Sequence, residues 1–192
     1  MKKTLTVVIA LVLVVVMSVA GTVAYLTSTK TVTNTFTVGK VEITLDEKKV
    51  DVYGVPLTGE EAGRDIRNTY KLIPGQSYTK DPIVHFQPDS EASWLFVKVV
   101  NEISDIEDGT TIAAQILANG WTELNDGTGV YYKKVDANTT SAAVDYRVFG
   151  SFTLKGDANV ADYNGKTIVV TAYAIQAAGF DTPAAAWDEV GN

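Results

Sequence analysis

Thr31-Val-Thr-Asn-Thr-Phe-Thr-Val-Gly-Lys-Val-Glu-Ile-Thr-Leu45 alternates residue by residue. Val32, Asn34, Phe36 and Val38 share one face, and Thr31, Thr33, Thr35 and Thr37 the other. This is the period of two expected of a β-strand. After Gly39 the phase flips: Val41, Ile43 and Leu45 are apolar, while Glu42, Thr44 and Asp46 are polar. A flip at a glycine predicts a bulge or bend, where the chain leaves one pairing and enters another.

The same period recurs downstream. Strands are predicted at 77–86, 94–101, 121–124, 130–135, 143–154 and 167–176. Within 93–100, Leu95, Val97 and Val99 form an apolar face that reads as core, and Trp94 and Phe96 on the opposite face read as a second buried layer. Asn125-Asp-Gly127 is a hairpin turn signal, and Pro74-Gly75 marks another turn. Residues 46–71 are charged and without steady periodicity. They read as a loop with a short helical turn near 60–65. A helix is predicted over 111–119, with Thr111 as cap and Gly120 beyond its end. A second is predicted over 181–187, with Asp181 or Thr182 capping and Pro183 in the first turn. Many short strands, turns and two short helices predict an all-β fold, a jelly-roll-like antiparallel β-sandwich, with an immunoglobulin-like sandwich as second choice.

Upstream, Lys2 and Lys3 precede an apolar run over 7–17, and small residues follow from Ser18 to Ala24. That order is an export signal, with a helical greasy centre. Cleavage between Ala24 and Tyr25 satisfies the small-residue rule through Thr22 and Ala24. Cleavage after Ala20 satisfies it too, and an uncleaved anchor over 7–26 is the alternative, being about long enough to span a bilayer. The expected organisation is a signal peptide at 1–24, a strand segment at 25–38 and a β-sandwich domain at 39–192.

Of 192 residues, 16 are basic and 23 acidic. Removing 1–24 leaves 168 residues, 14 basic and 23 acidic, a net charge of −9. Such a surface repels nucleic acid and anionic membranes, and 168 residues suffice for one packed domain. With no cysteine there is no disulfide framework and no thiol nucleophile.

His85 is the single histidine. Without cysteine it cannot build the usual zinc site, which takes several nitrogen or sulfur ligands, and no serine sits in a glycine-flanked elbow. No catalytic, cofactor or metal residue is therefore assigned, and no enzyme activity is expected. Asp105-Ile-Glu-Asp-Gly109 and Asn125-Asp-Gly-Thr-Gly129 place oxygens beside glycines, as calcium loops do, but read as solvated turns. Trp94, Trp121 and Trp187 fit a core better than a sugar-stacking platform.

The segment ahead of the sandwich supports a sharper idea. A free strand can add to a neighbour's open sheet through main-chain hydrogen bonds, with alternate side chains filling pockets. If each subunit donates forward and accepts behind, a filament results. Burying Leu26, Val32 and Phe36 would contribute roughly 2 kcal/mol each, with Val38 on the same face as Val32 and Phe36. The plainer alternative is an ordinary first strand at 31–38 with a frayed end before it.

Residues 24–45 resemble the start of the TasA/camelysin (CalY) family of Gram-positive bacteria: a small residue, an aromatic, a polar stretch, Asn-Thr-Phe, a glycine and an alternating strand. Ile73-Pro-Gly75 with Lys80-Asp-Pro82, Phe96-Val-Lys-Val99, Tyr131-Tyr-Lys133, Ala172-Tyr-Ala-Ile-Gln-Ala177 and Ala186-Trp187 match further pieces. The resemblance implies export through a SipW-type signal peptidase, a jelly-roll-like sandwich, and assembly into extracellular biofilm matrix fibres by donor-strand exchange. The implied partner is a second copy, head to tail. A related matrix protein is a further candidate, and the location is secreted, in the matrix or at the cell surface. Part of the family carries a metallopeptidase label, which the single histidine opposes. A non-polymerising adhesin or carbohydrate-binding module is the other alternative.

Overall fold

A computed structural model describes residues 39–191. Its strands are β1 (Ile43–Lys48), β2 (Arg64–Asp65), β3 (Ser77–Thr79), β4 (Ile83–Phe86), β5 (Ser93–Asn101), β6 (Thr122–Glu123), β7 (Val130–Val135), β8 (Val144–Arg147), β9 (Ser151–Thr153) and β10 (Ile168–Gln176). The helices are α1 (Ile112–Ala118) and α2 (Pro183–Val190). One sheet has the order β2–β1–β4–β8 and the other β10–β5–β7–β6, while β3 pairs with β9. Every pair is antiparallel. The all-β class expected from the alternation is what the chain adopts.

The core lies between the two sheets. Val84 and Phe86 of β4, Leu95 and Val97 of β5 and Tyr131 of β7 are buried in one cluster. α1 closes that cluster. The Thr111 hydroxyl accepts from the Ala114 N–H at 3.2 Å, and Ile112 and Ile116, one turn apart, point inward. Trp121 is buried beside them and donates from Nε1 to the Arg147 carbonyl at 2.8 Å.

β5 is buried on both faces, as expected. Leu95, Val97 and Val99 enter the main core, whereas Trp94 and Phe96 enter a second cluster under α2. Thr182 caps α2 with its hydroxyl, and Pro183 occupies the first turn. Trp187 then packs on Phe96 and Tyr173, with centroids 5.3 and 5.2 Å apart. The strands expected over 77–86 and 143–154 turn out to be one two-stranded ribbon with a break in each arm. Pro82 has no N–H to donate. The register nonetheless continues across the break: the Lys80 N–H donates to the Gly150 carbonyl, and the Val148 N–H to that of Pro82.

The segment expected as a loop over 46–71 departs in detail. A single 3-10 turn spans Gly59–Glu61, and instead of a helical turn running to residue 65, Arg64–Asp65 forms β2 against the end of β1. The cause is charge. Arg64 binds Asp46 on β1 and the Asp81 carbonyl beyond it, which draws the returning chain into pairing. Among the described residues no helix is long and apolar enough to cross a membrane.

Candidate functional site

β10 forms one edge of its sheet. The Glu102 N–H donates to the Thr167 carbonyl, and the Ala177 N–H to that of Ala92. In an antiparallel ladder the bonded pairs alternate, so the odd-numbered residues of β10 face β5. The main-chain groups of Ile168, Val170, Ala172, Ala174 and Gln176 face the other way. Among the described residues they meet no partner. Side chains of the same parity, Ile168, Val170, Ala172 and Ala174, lie against the main core. The edge therefore offers main-chain hydrogen bonds and, directly beside them, the interior of the fold.

Diagonally across the open side stands β1. The Gln87 N–H donates to the Glu42 carbonyl, so by the same alternation Ile43 and Leu45 turn their main-chain groups away from β4. β2 pairs with β1 only at Glu47 and Lys48.

A groove of about 1430 Å³ opens between these elements. Its apolar lining includes Leu45, Tyr70, Leu72, Phe152, Ile168 and Val170, and its rims are the stretches 65–72 and 160–167. Tyr70 stands edge-on to both Tyr78 and Phe152. Its hydroxyl donates to the Thr79 carbonyl at 3.0 Å. Burial pushes the Tyr70 phenol up, and the nearby Glu47 carboxylate adds to the effect.

The wall at 64–72 is pinned by ionic contacts. Arg64 binds the Asp46 carboxylate and reaches the Asp81 carbonyl at 3.0 Å. Burial works against charge on Asp46, but hydrogen bonds from Arg64 and His85 outweigh it and hold the carboxyl below its usual range. Beneath the wall, Glu47 and Lys80 are both buried. They pair at 2.5 Å, and the second Glu47 oxygen accepts from Asn68 Nδ2 at 2.9 Å.

His85 lies on the sheet face with Nδ1 2.6 Å from Asp145 and Nε2 2.9 Å from Asp46. Both ring nitrogens face carboxylates, so both donate only as the imidazolium. Burial lowers its pKa, and the two hydrogen bonds more than reverse this. Among the described residues no group of three or more His, Asp or Glu side chains is placed to hold a metal ion. The oxygen-rich loops have internal partners: Asp105 accepts from the Tyr163 hydroxyl, Asp108 from the Gly109 N–H, and Glu123 from the Gly127 N–H. Trp94 and Trp121 are buried, which leaves neither as a sugar platform.

The cleavage residues Ala24 and Tyr25 and the donor residues Leu26, Val32, Phe36 and Val38 lie outside the described residues. Gly39, the first described residue, lies against Glu91 and Gln176: a β-carbon there would stand 2.9 Å from Glu91 Cγ and 3.3 Å from Gln176 Oε1. The chain thus enters this domain at one end of β10, while the groove takes in the other end, Ile168 to Val170. The sequence marks 167–176 as a strand but carries no local sign that it is an edge. The sequence puts Leu45 on an apolar strand face but gives no sign of a groove there; Tyr70 falls in the stretch read as a loop, and Leu72 just past it. Comparison with protein families, with curated proteins and with solved structures finds no match.

Proposed function

We propose that this protein is exported, cut between Ala24 and Tyr25, and polymerises into extracellular matrix fibres by strand donation. In this reading the donor segment 25–38 of one copy reaches the next: residues 31–38 lie along β10 with Val32, Phe36 and Val38 turned toward the groove, and Leu26 lies beyond the end of that strand. The two sheets are then a jelly-roll-like sandwich completed by its neighbour, and the resemblance to the TasA/camelysin family points the same way. The observation that carries the proposal is the nine-residue edge of β10 standing beside a groove with an apolar wall and charged rims. At about 3.4 Å per residue that edge offers roughly 30 Å, enough for the eight alternating residues 31–38. Entry of the chain at one end of β10 and the groove at the other favour a head-to-tail contact, which repeats without closing.

The test compares a protein beginning at Tyr25 with one beginning at Gly39, by negative-stain electron microscopy and sedimentation. Filaments are expected only from the longer form. Filaments of equal number and length from both would remove residues 25–38 from the contact.

A further inference from the structure

We propose that Lys80 and Asn68 join in an intramolecular isopeptide bond, formed by the chain itself with Glu47 as the proton carrier. Two side chains from separate stretches meet on the carboxylate of a third. Lys80 Nζ lies 2.5 Å from Glu47 Oε2, and Asn68 Nδ2 lies 2.9 Å from Glu47 Oε1. Lys80 and Glu47 are 8% and 5% exposed, so amine and carboxylate meet largely out of water.

The Asn68 amide is held in one orientation. Asn68 Nδ2 also donates to the Lys48 carbonyl at 2.9 Å, and Asn68 Oδ1 accepts from the Val50 N–H at 3.2 Å. Two acceptors on one side and a donor on the other fix which atom is nitrogen and which is oxygen. The Val50 N–H already sits where negative charge develops when the carbonyl carbon is attacked.

The chemistry balances without an oxidant or a cofactor. Glu47 takes a proton from the Lys80 ammonium, leaving a neutral amine. Nζ attacks Asn68 Cγ, the Nζ–Cγ bond forms, and the carbonyl electron pair moves onto Oδ1. Glu47 carries a proton from Nζ to Nδ2 as general acid and base. The carbonyl re-forms, the Cγ–Nδ2 bond breaks, and the nitrogen departs as ammonium. Glu47 is returned as the carboxylate. The bond would tie the groove wall to the strand corner at Lys80.

The experiment is mass spectrometry of the purified full-length chain. The expected wild-type mass is one ammonia below that of the sequence. Trypsin should release a branched peptide joining 68–71 to 72–98, uncut at the acylated Lys80. Glu47→Gln and Lys80→Arg should each restore the full mass and give separate peptides. A folded wild-type protein at full mass, with Asn68 and Lys80 in unlinked peptides, overturns the proposal. So does an ammonia loss that persists in Lys80→Arg, which would place it at another asparagine.

Discussion

Two proline substitutions one residue apart separate the stability of β10 from its role as an acceptor. Ala172 turns its N–H to the free edge, whereas Thr171 pairs with Lys98 and turns its N–H to β5. Proline lacks that N–H and is tolerated in a sheet chiefly where the donor faces outward. Ala172→Pro therefore deletes no internal bond. Its cost is backbone adjustment of about 1 kcal/mol, and the preceding Thr171 is already in the extended conformation that proline demands. Thr171→Pro removes a ladder bond worth about 1 kcal/mol and strands the Lys98 carbonyl, at a further 1–3 kcal/mol or so. For a domain of this size each kcal/mol moves the melting temperature by about 2–4 °C. Thr171→Pro should then melt roughly 5–10 °C below Ala172→Pro by circular dichroism. The assembly readout runs opposite. Ala172→Pro, nearly as stable as the parent, should lose filaments, because a donor strand meets a missing hydrogen bond and a ring at the centre of its path. A stable Ala172→Pro protein that polymerises like the parent would refute the assignment of β10 as acceptor.

His85, clamped between Asp46 and Asp145, has a pKa raised above its ordinary 6.5. A raised native value means that the stabilisation is complete below about 6.5 and fades as pH rises through the native value. The melting temperature should fall over that interval in the parent and lose this slope in His85→Gln; an identical slope in both would assign the titration to another group. Gly129 has φ +67°, and a β-carbon there would stand 2.5 Å from the Val99 carbonyl oxygen. Gly129→Ala should cost about 1–3 kcal/mol in urea denaturation; a loss below about 0.5 kcal/mol would mean the hairpin relaxes freely.

The parts of this fold that were legible in the sequence are those governed by local period. Leu95, Val97 and Val99 against Trp94 and Phe96 fixed β5 and both layers around it, because a strand buried on two faces is apolar at every step. Thr111 and Thr182 were readable as caps because capping is decided within one turn. The groove was not legible. Leu45, Tyr70, Leu72 and Phe152 come from distant stretches, and only the return of 64–72 onto β1 brings them together. That return depends on Arg64 finding Asp46 and on Asn68 finding Glu47, long-range polar contacts with no sequence period. Glu47 continues the inward face of β1 as a buried carboxylate, a place where alternation alone anticipates an apolar residue. The break at Lys80-Asp-Pro82 was equally hidden, since both arms of the ribbon keep their alternation through it.

The edges of the two sheets are treated unequally, and the inequality bears on assembly. An unpaired edge is a template for another strand, and folds that stay solitary blunt it with short strands, charges or proline. β2 and β6 are two residues each. β8 is four residues long and exposes Asp145 and Arg147. β10 is nine residues long, without proline or charge, and its outward main-chain groups belong to Ile168, Val170, Ala172, Ala174 and Gln176. Three edges are thus short and each carries charge, while the longest is, among the described residues, left bare beside the groove. A chain under pressure only to remain monomeric gains nothing from that distribution: a lysine at the exposed position 169 or 171 would place charge on the strand without entering the core. The bare edge makes physical sense if a strand of low charge arrives to cover it. The sequence of 31–38 has the pattern of such a strand, with no charged residue and Val32, Phe36 and Val38 at alternate positions.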